Sequence, residues 1–194
     1  MEIQIKDIKI LREKTGLGIA ECKSALKEAG GNKEKALEIL AMKSKIISQE
    51  KENRIVKEGV ISAYVHSNNK IGVLVELLCE TDFVARSVKF QNLAHEIALQ
   101  IAAANPQWIS KNEVPLKIMQ EKRKIIEESL EENKPLEIKE KIIQGKLEQF
   151  LKENCLLEQS YIRDEKFTIN DLIQEHIALF KENIKLSRFI RFSI

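Results

Sequence analysis

The chain has 194 residues, 43% hydrophobic and 32% charged, and its 32 Lys and Arg against 30 Asp and Glu leave a formal net charge of +2. That length fits one ordinary domain with a small appendage. The near balance of charge excludes the strong field that nucleic acid or an anionic lipid surface would ask for.

From Met1 to Ile10, Lys, Asp and Glu alternate with isoleucine. This gives no apolar run for a signal peptide and too much acid for a transit peptide. Ile5, Ile8 and Leu11 then recur at helical spacing, and Thr15-Gly16-Leu17-Gly18 breaks the pattern, with Gly16 suited to the left-handed residue that ends a helix. Cys22, Ala25, Leu26 and Ala29 form a buried helical stripe, Gly30-Gly31 stops it, and Asn32 can cap the next helix. Ala36, Leu37, Leu40 and Ala41 make a third stripe, so a three-helix unit is expected over residues 1–43, ending near Met42. Lys43 to Lys57 is polar, with Ile46, Ile47, Ile55 and Val56 as anchors; it reads as a linker (residues 44–57) or an extended helix leading away.

A core is expected over residues 58–194. Val60 to His66 is rich in β-branched and aromatic residues, Ser67-Asn68-Asn69-Lys70 is a turn cluster, and Ile71, Val73, Val75 and Leu77 alternate. Together they predict an antiparallel hairpin, with Leu74 and Leu78 implying that its second face is partly covered. Phe90, Leu93, Ala94, Ile97, Ala98 and Ile101 define a strong helix ended by Asn105-Pro106. Ile118, Ile126 and Leu130 mark another, closed by Asn133-Lys134-Pro135; Ile143, Leu147, Phe150 and Leu151 mark the next. Thr168-Ile169-Asn170-Asp171 has the form of a capping box. The tail, with Ile184, Leu186, Arg188, Ile190, Phe192 and Ile194 in alternation, reads as a strand joining the hairpin. The fold class is therefore α+β: three N-terminal helices, a linker, and a small three-stranded antiparallel sheet packed with helices.

Covalent chemistry finds no support. Cys22, Cys79 and Cys155 are too scattered for a zinc site or a secreted disulfide framework, and they suit a reducing compartment. His95-Glu96 lacks a second histidine four residues on, and His66 and His176 have no metal-ligand spacing. Thr15-Gly16-Leu17-Gly18 lacks the later glycine or lysine of a phosphate loop. No serine sits in a nucleophile elbow. The pairs Glu127-Glu128 and Glu131-Glu132 read as solvated helical faces. No segment approaches the ~18 apolar residues that would span a bilayer. These readings together describe a soluble intracellular protein without cofactor or metal.

The junction after the hairpin carries Cys79-Glu80-Thr81-Asp82-Phe83-Val84-Ala85-Arg86. Thr81 can cap the helix that follows, and Asp82 in the first turn is favoured by the exposed amides. A purely structural reading has Phe83 and Val84 stapling that helix onto the sheet. This run is similar to the signature of the elongation factor Ts family. Leu11-Arg12-Glu13-Lys14-Thr15-Gly16-Leu17-Gly18, Glu21 to Leu26 and Glu28 to Ala36 resemble the family's N-terminal motifs. Ile97-Ala98 through Asn105-Pro106, Cys155 to Gln159 and Arg188 to Phe192 fit later blocks in the same order. The pre-strand segment Arg54-Ile55-Val56-Lys57-Glu58-Gly59 is a looser match.

The resemblance implies a guanine-nucleotide exchange factor without covalent chemistry. Its N-terminal unit would resemble a ubiquitin-associated module and dock on the nucleotide-binding domain of elongation factor Tu through Leu11, Arg12, Thr15, Gly16, Gly18 and Ile19. Thr81, Asp82, Phe83 and Val84 would lie at the partner's magnesium and phosphate site. Asp82 and Phe83 would intrude so that magnesium coordination is lost, GDP leaves and GTP replaces it. Longer members carry a second half-core and a helical hairpin, for which this length leaves no room. The expectation is a homodimer through the sheet, motivated by Leu74 and Leu78, in a two-plus-two complex. An Ile- and Lys-rich chain points to an AT-rich genome, with a bacterial cytoplasm or, for an organelle-encoded protein, the plastid stroma as its place. The rivals are a ubiquitin-associated-type binding module without exchange activity, a small hydrolase or transferase, and a nucleic-acid binder. Scarce histidines argue against the second, and low charge with 5% aromatics against the third.

Overall fold

The computed structural model describes residues 3–130 and 135–194. The acidic pair Glu131-Glu132 and the stop at Asn133-Lys134 lie outside the described residues.

Three helices open the chain: α1 (Ile5–Thr15), α2 (Ile19–Glu28) and α3 (Lys33–Lys51). Gly16 ends α1 at φ 68°, donating its N–H to Arg12 O, a conformation that any side chain would strain. The Asn32 side chain caps α3 by accepting from the N–H groups of Glu34 and Lys35. Leu11, Leu17, Cys22, Ala25, Leu26, Ala36 and Leu40 form the core of the unit, which Ala178 from near the other end of the sequence completes. The third helix does not stop near Met42. It runs on to Lys51 because its continuation has a surface to pack on: Ser44 and Ser48 are buried where α3 meets α8 (Ile169–Phe180), and Lys45 Nζ reaches Asp171 Oδ1 at 3.1 Å. Of the two readings of 43–57, the extended helix holds as far as Lys51.

The hairpin β1 (Glu58–Val65) and β2 (Ile71–Cys79) is joined by β5 (Ile184–Ser193) in the antiparallel order β1-β2-β5. Val73, Val75, Leu77 and Cys79 point inward against α5 (Val88–Ala104), whose Phe90, Leu93, Ala94, Ile97, Ala98 and Ile101 are all buried. Ile169, Ile173 and Ile177 of α8 complete this core. The tail is a strand but not one uninterrupted alternation. Leu186 pairs with Leu77 and Arg188 with Glu76, so Ser187 is an extra residue and the side-chain phase flips there. Ile184 and Leu186 are therefore buried, while Ile190 and Phe192 face outward.

Thr168 and Asp171 form the expected capping box of α8: the Thr168 side chain accepts from Asp171 N, and the Asp171 carboxylate accepts from Thr168 N. The two helices expected from Ile118 to Leu151 are present and form a pair. α6 (Leu116–Glu128) and α7 (Leu136–Asn154) pack on one another through Ile126, Ile143 and Leu147, with Met119 and Leu130 beside them. Arg123 ties them, 2.6 Å from Glu140 and 2.7 Å from Glu127. A short ribbon unforeseen from sequence, β3 (Ser160–Tyr161) and β4 (Asp164–Thr168), is pinned to α5 where Glu96 meets Tyr161 and Arg163.

Candidate partner-docking surface

The expected helix after β2 is shorter and differently built than its sequence implies. α4 (Asp82–Ala85) is a single turn, and the long helix α5 begins afresh with Ser87, whose side chain accepts from Phe90 N. Thr81 occupies the position before α4, yet its side chain caps nothing. Its hydroxyl instead donates to Glu182 Oε1 at 2.6 Å. Glu182 Oε2 accepts the N–H groups of Thr81 and Glu80 at 3.0 and 3.2 Å. The bonding is reciprocal, because Asn183 N donates to Glu80 Oε1 at 2.6 Å. Asn183 Nδ2 in turn donates to the carbonyls of Glu52 and Arg54, holding the chain that enters β1.

From this mount the four residues diverge. Val84 is buried in the main core, but Phe83 is 83% exposed, so the stapling role belongs to Val84 alone. A phenyl ring held in water on a well-fixed turn forgoes burial worth about 2 kcal/mol. Asp82 lies beside Arg86 at 3.2 Å on the exposed side of the turn. Behind them the Cys79 thiol donates to Thr81 O at 3.2 Å. Burial, reinforced by the negative charge of Glu182, pushes that thiol up to about 11, so it stays a protonated donor.

The N-terminal candidates form a second surface. Leu11 is wholly buried, and its part is to hold the loop. Thr15 Oγ1 donates to Leu11 O and accepts from Leu17 N, which closes the turn around Gly16. Arg12 and Gly18 are exposed, and Ile19, the first residue of α2, is 57% exposed. The two surfaces meet at the end of α8. A Cβ at Gly16 would stand 3.2 Å from Leu179 Cδ1, and Lys181 Nζ lies 3.5 Å from Glu21 Oε1. The five residues from Leu179 to Asn183 thus touch the N-terminal loop with one end and hold Thr81 with the other.

Sequence reasoning missed Lys181, Glu182 and Asn183, which hold Glu80 and Thr81 and reach the N-terminal loop. Nothing local marks Glu182, whose bond to Thr81 spans 101 residues of chain. Among the described residues, no three or more His, Cys, Asp or Glu side chains converge as metal ligands would. Among the described residues, no helix is long and apolar enough to cross a membrane.

Comparison with known proteins places this geometry in context. A family model described as Elongation factor TS matches residues 38–194. The Elongation factor Ts of Fervidobacterium nodosum is 50% identical over 195 residues, covering 100% of this chain and 99% of the relative. That of Thermoanaerobacter sp. (strain X514) is 48% identical over 191 residues, 98% of this chain and 94% of the relative. That of Thermodesulfovibrio yellowstonii is 47% identical over 194 residues, with 100% and 97% covered.

Proposed function

The chain belongs to the elongation factor Ts family and is a translation elongation factor; from that premise we propose that it binds GDP-bound elongation factor Tu and speeds the release of GDP. Residues 1–43 are the docking unit, and the Arg12 to Ile19 surface makes the first contact. Thr81, Asp82, Phe83 and Val84 act at the partner's magnesium and phosphate site, with Phe83 and Asp82 as the intruding side chains. No bond to the nucleotide is made or broken, so the activity is exchange and not enzymatic chemistry. An exchange factor binds the nucleotide-free partner more tightly than the GDP form, and by linkage GDP weakens the factor as much as the factor weakens GDP. Displacing magnesium removes the largest local positive charge facing the phosphates. The bacterial cytoplasm is the proposed setting, in keeping with the bacterial relatives.

The observation that carries this reading is Phe83, solvent-exposed on a turn whose backbone and hydroxyl are tied down behind it. A binding module without exchange activity gives no reason for that combination. The test loads elongation factor Tu from the same source with fluorescent GDP, chases with unlabelled GDP and follows release. Phe83→Ala is expected to lower the acceleration roughly thirty-fold, the effect of removing an aromatic hot spot worth about 2 kcal/mol. Its melting temperature should stay close to the parent's, since exposed positions contribute within about 0.5 kcal/mol. Release by Phe83→Ala at the parent's rate would refute the wedge.

We further propose a second copy of this chain on the outer face of the sheet. Ile61 and Val65 of β1, Leu74 of β2, and Ile190 and Phe192 of β5 are all exposed there. The register sets Leu74 beside Ile190 and Gly72 beside Phe192, so the apolar side chains are contiguous. Leu78 is half-buried over Gly59 and lies at the margin of this patch. Two such faces apposed would give the two-plus-two complex.

A further inference from the structure

We propose that Glu182 is the positioning residue of the exchange wedge, its carboxylate fixing Thr81 while the turn from Leu179 to Asn183 holds the wedge and the N-terminal docking loop at a set spacing. The inference rests on the exchange reading above and assigns a role to residues outside the signature run.

One carboxylate accepts three hydrogen bonds here, from Glu80 N, Thr81 N and Thr81 Oγ1, at 2.6 to 3.2 Å. Charge-assisted bonds of this kind are about twice as strong as neutral ones. Three on one rigid pair of oxygens remove the freedom of Glu80 and Thr81, the residues that lead into Asp82 and Phe83. Glu182 is itself held, because Asn183 N bonds back to Glu80 Oε1 and the Asn183 side chain is tied to the Glu52 and Arg54 carbonyls. Lys181, at φ 60°, turns the chain sharply enough for its ammonium to reach Glu21 while Glu182 faces Thr81. A wedge is effective only if its position is set before it meets the partner, since a side chain displaced by about 1 Å transmits less of its binding energy to the partner's site. Docking through Arg12 and Ile19 needs none of these bonds.

The roles of Glu182 and Phe83 are separable by measuring GDP release from elongation factor Tu over a range of factor concentrations for Glu182→Ala, Glu182→Gln and Phe83→Ala. Amide hydrogen exchange at Glu80 and Thr81 is followed in the free proteins. Glu182→Ala is expected to expose both amides to exchange. It should lower the maximal release rate about ten-fold, the order expected for losing hydrogen bonds to a charged group, while the half-saturating concentration moves less than about three-fold. Glu182→Gln keeps the shape and an acceptor oxygen and should recover part of the rate. It also serves as the informative variant should Glu182→Ala not fold. A residue with a merely structural role would lower the melting temperature and leave the maximal rate of the folded fraction unchanged. A parental maximal rate in folded Glu182→Ala, or in Glu182→Gln where the alanine variant does not fold, overturns the inference whatever the amide protection. If Phe83→Ala itself releases GDP at the parental rate, the wedge assignment fails first, and Glu182 loses its proposed task with it; a parent that gives no acceleration refutes the exchange reading instead.

Discussion

Glu175 sits in the seam between α3 and α8, facing Ala41 and Ser44 of α3, Leu17 beyond them and Phe167 of β4. The charges around it are Asp171 on its own helix, Asp164 and Lys166 on β4 and Lys45 on α3, which is engaged by Asp171. Burial, with the negative charges of Asp171 and Asp164 adding to it, raises its carboxyl from the ordinary 4.5 to about 7. The folded protein therefore favours the protonated acid more than the unfolded chain does. This contribution is full below about pH 4.5 and is lost as pH rises through 7. Glu175→Gln should be more stable than the parent at pH 8 by about 1–2 kcal/mol, a figure reduced for partial solvation. The gain should shrink toward zero near pH 4.5, as urea midpoints at the two pH values would reveal. Thr81 marks the limit of reading single residues from sequence. Its hydroxyl at a strand-to-helix junction has every local sign of a cap, but a carboxylate 101 residues away outcompetes the neighbouring amides for it.

Elements were legible where their determinants are local. Asn32 and Thr168 each cap the helix that begins next to them, and Gly16 ends α1 in the left-handed conformation. Thr168→Ala removes one cap acceptor and leaves the Asp171 carboxylate less engaged, and should cost about 1–2 kcal/mol in chemical denaturation. Because α8 belongs to both hydrophobic cores, the loss should appear as one transition and not as melting of the N-terminal helices alone. The misjudged elements depend on distant partners. α3 outruns its apolar stripe because buried Ser44 and Ser48 lie against α8, where small hydroxyl residues let the helices approach. Helices α6 and α7, by contrast, were legible from Ile126, Ile143 and Leu147, the few side chains buried between them in a heavily charged sequence. β3 is two residues long and carries no periodicity to read.

At the scale of the molecule, the sheet has one face in the core and an outer face with an apolar patch beside the Glu76–Arg188 ion pair, where Leu74 is 44% and Phe192 63% exposed. The α+β class followed from the hairpin and the alternating tail, but which hairpin strand the tail pairs with was not legible, and which tail residues face outward depended on the bulge at Ser187, which alternation alone conceals. Sedimentation at micromolar concentration is expected to give a dimer. Phe192→Glu, which sets a carboxylate in the apolar patch beside Gly72, should shift it to monomer at least ten-fold more readily, given a cost above 1.4 kcal/mol for an unpaired charge in an interface. A monomeric parent under those conditions would refute the dimer while leaving the exchange reading intact.

The long reach of β5 also governs the order in which the protein can assemble. Arg188 and its partner Glu76 are 112 residues apart, and Glu182 and Thr81 nearly as far. Closing so large a loop is entropically expensive and slow compared with forming a local hairpin. On a ribosome, β1, β2 and α5 emerge long before β5 exists, and β2 waits with one unpaired edge. The segment around Phe83 is therefore among the last parts of the nascent chain to acquire its shape.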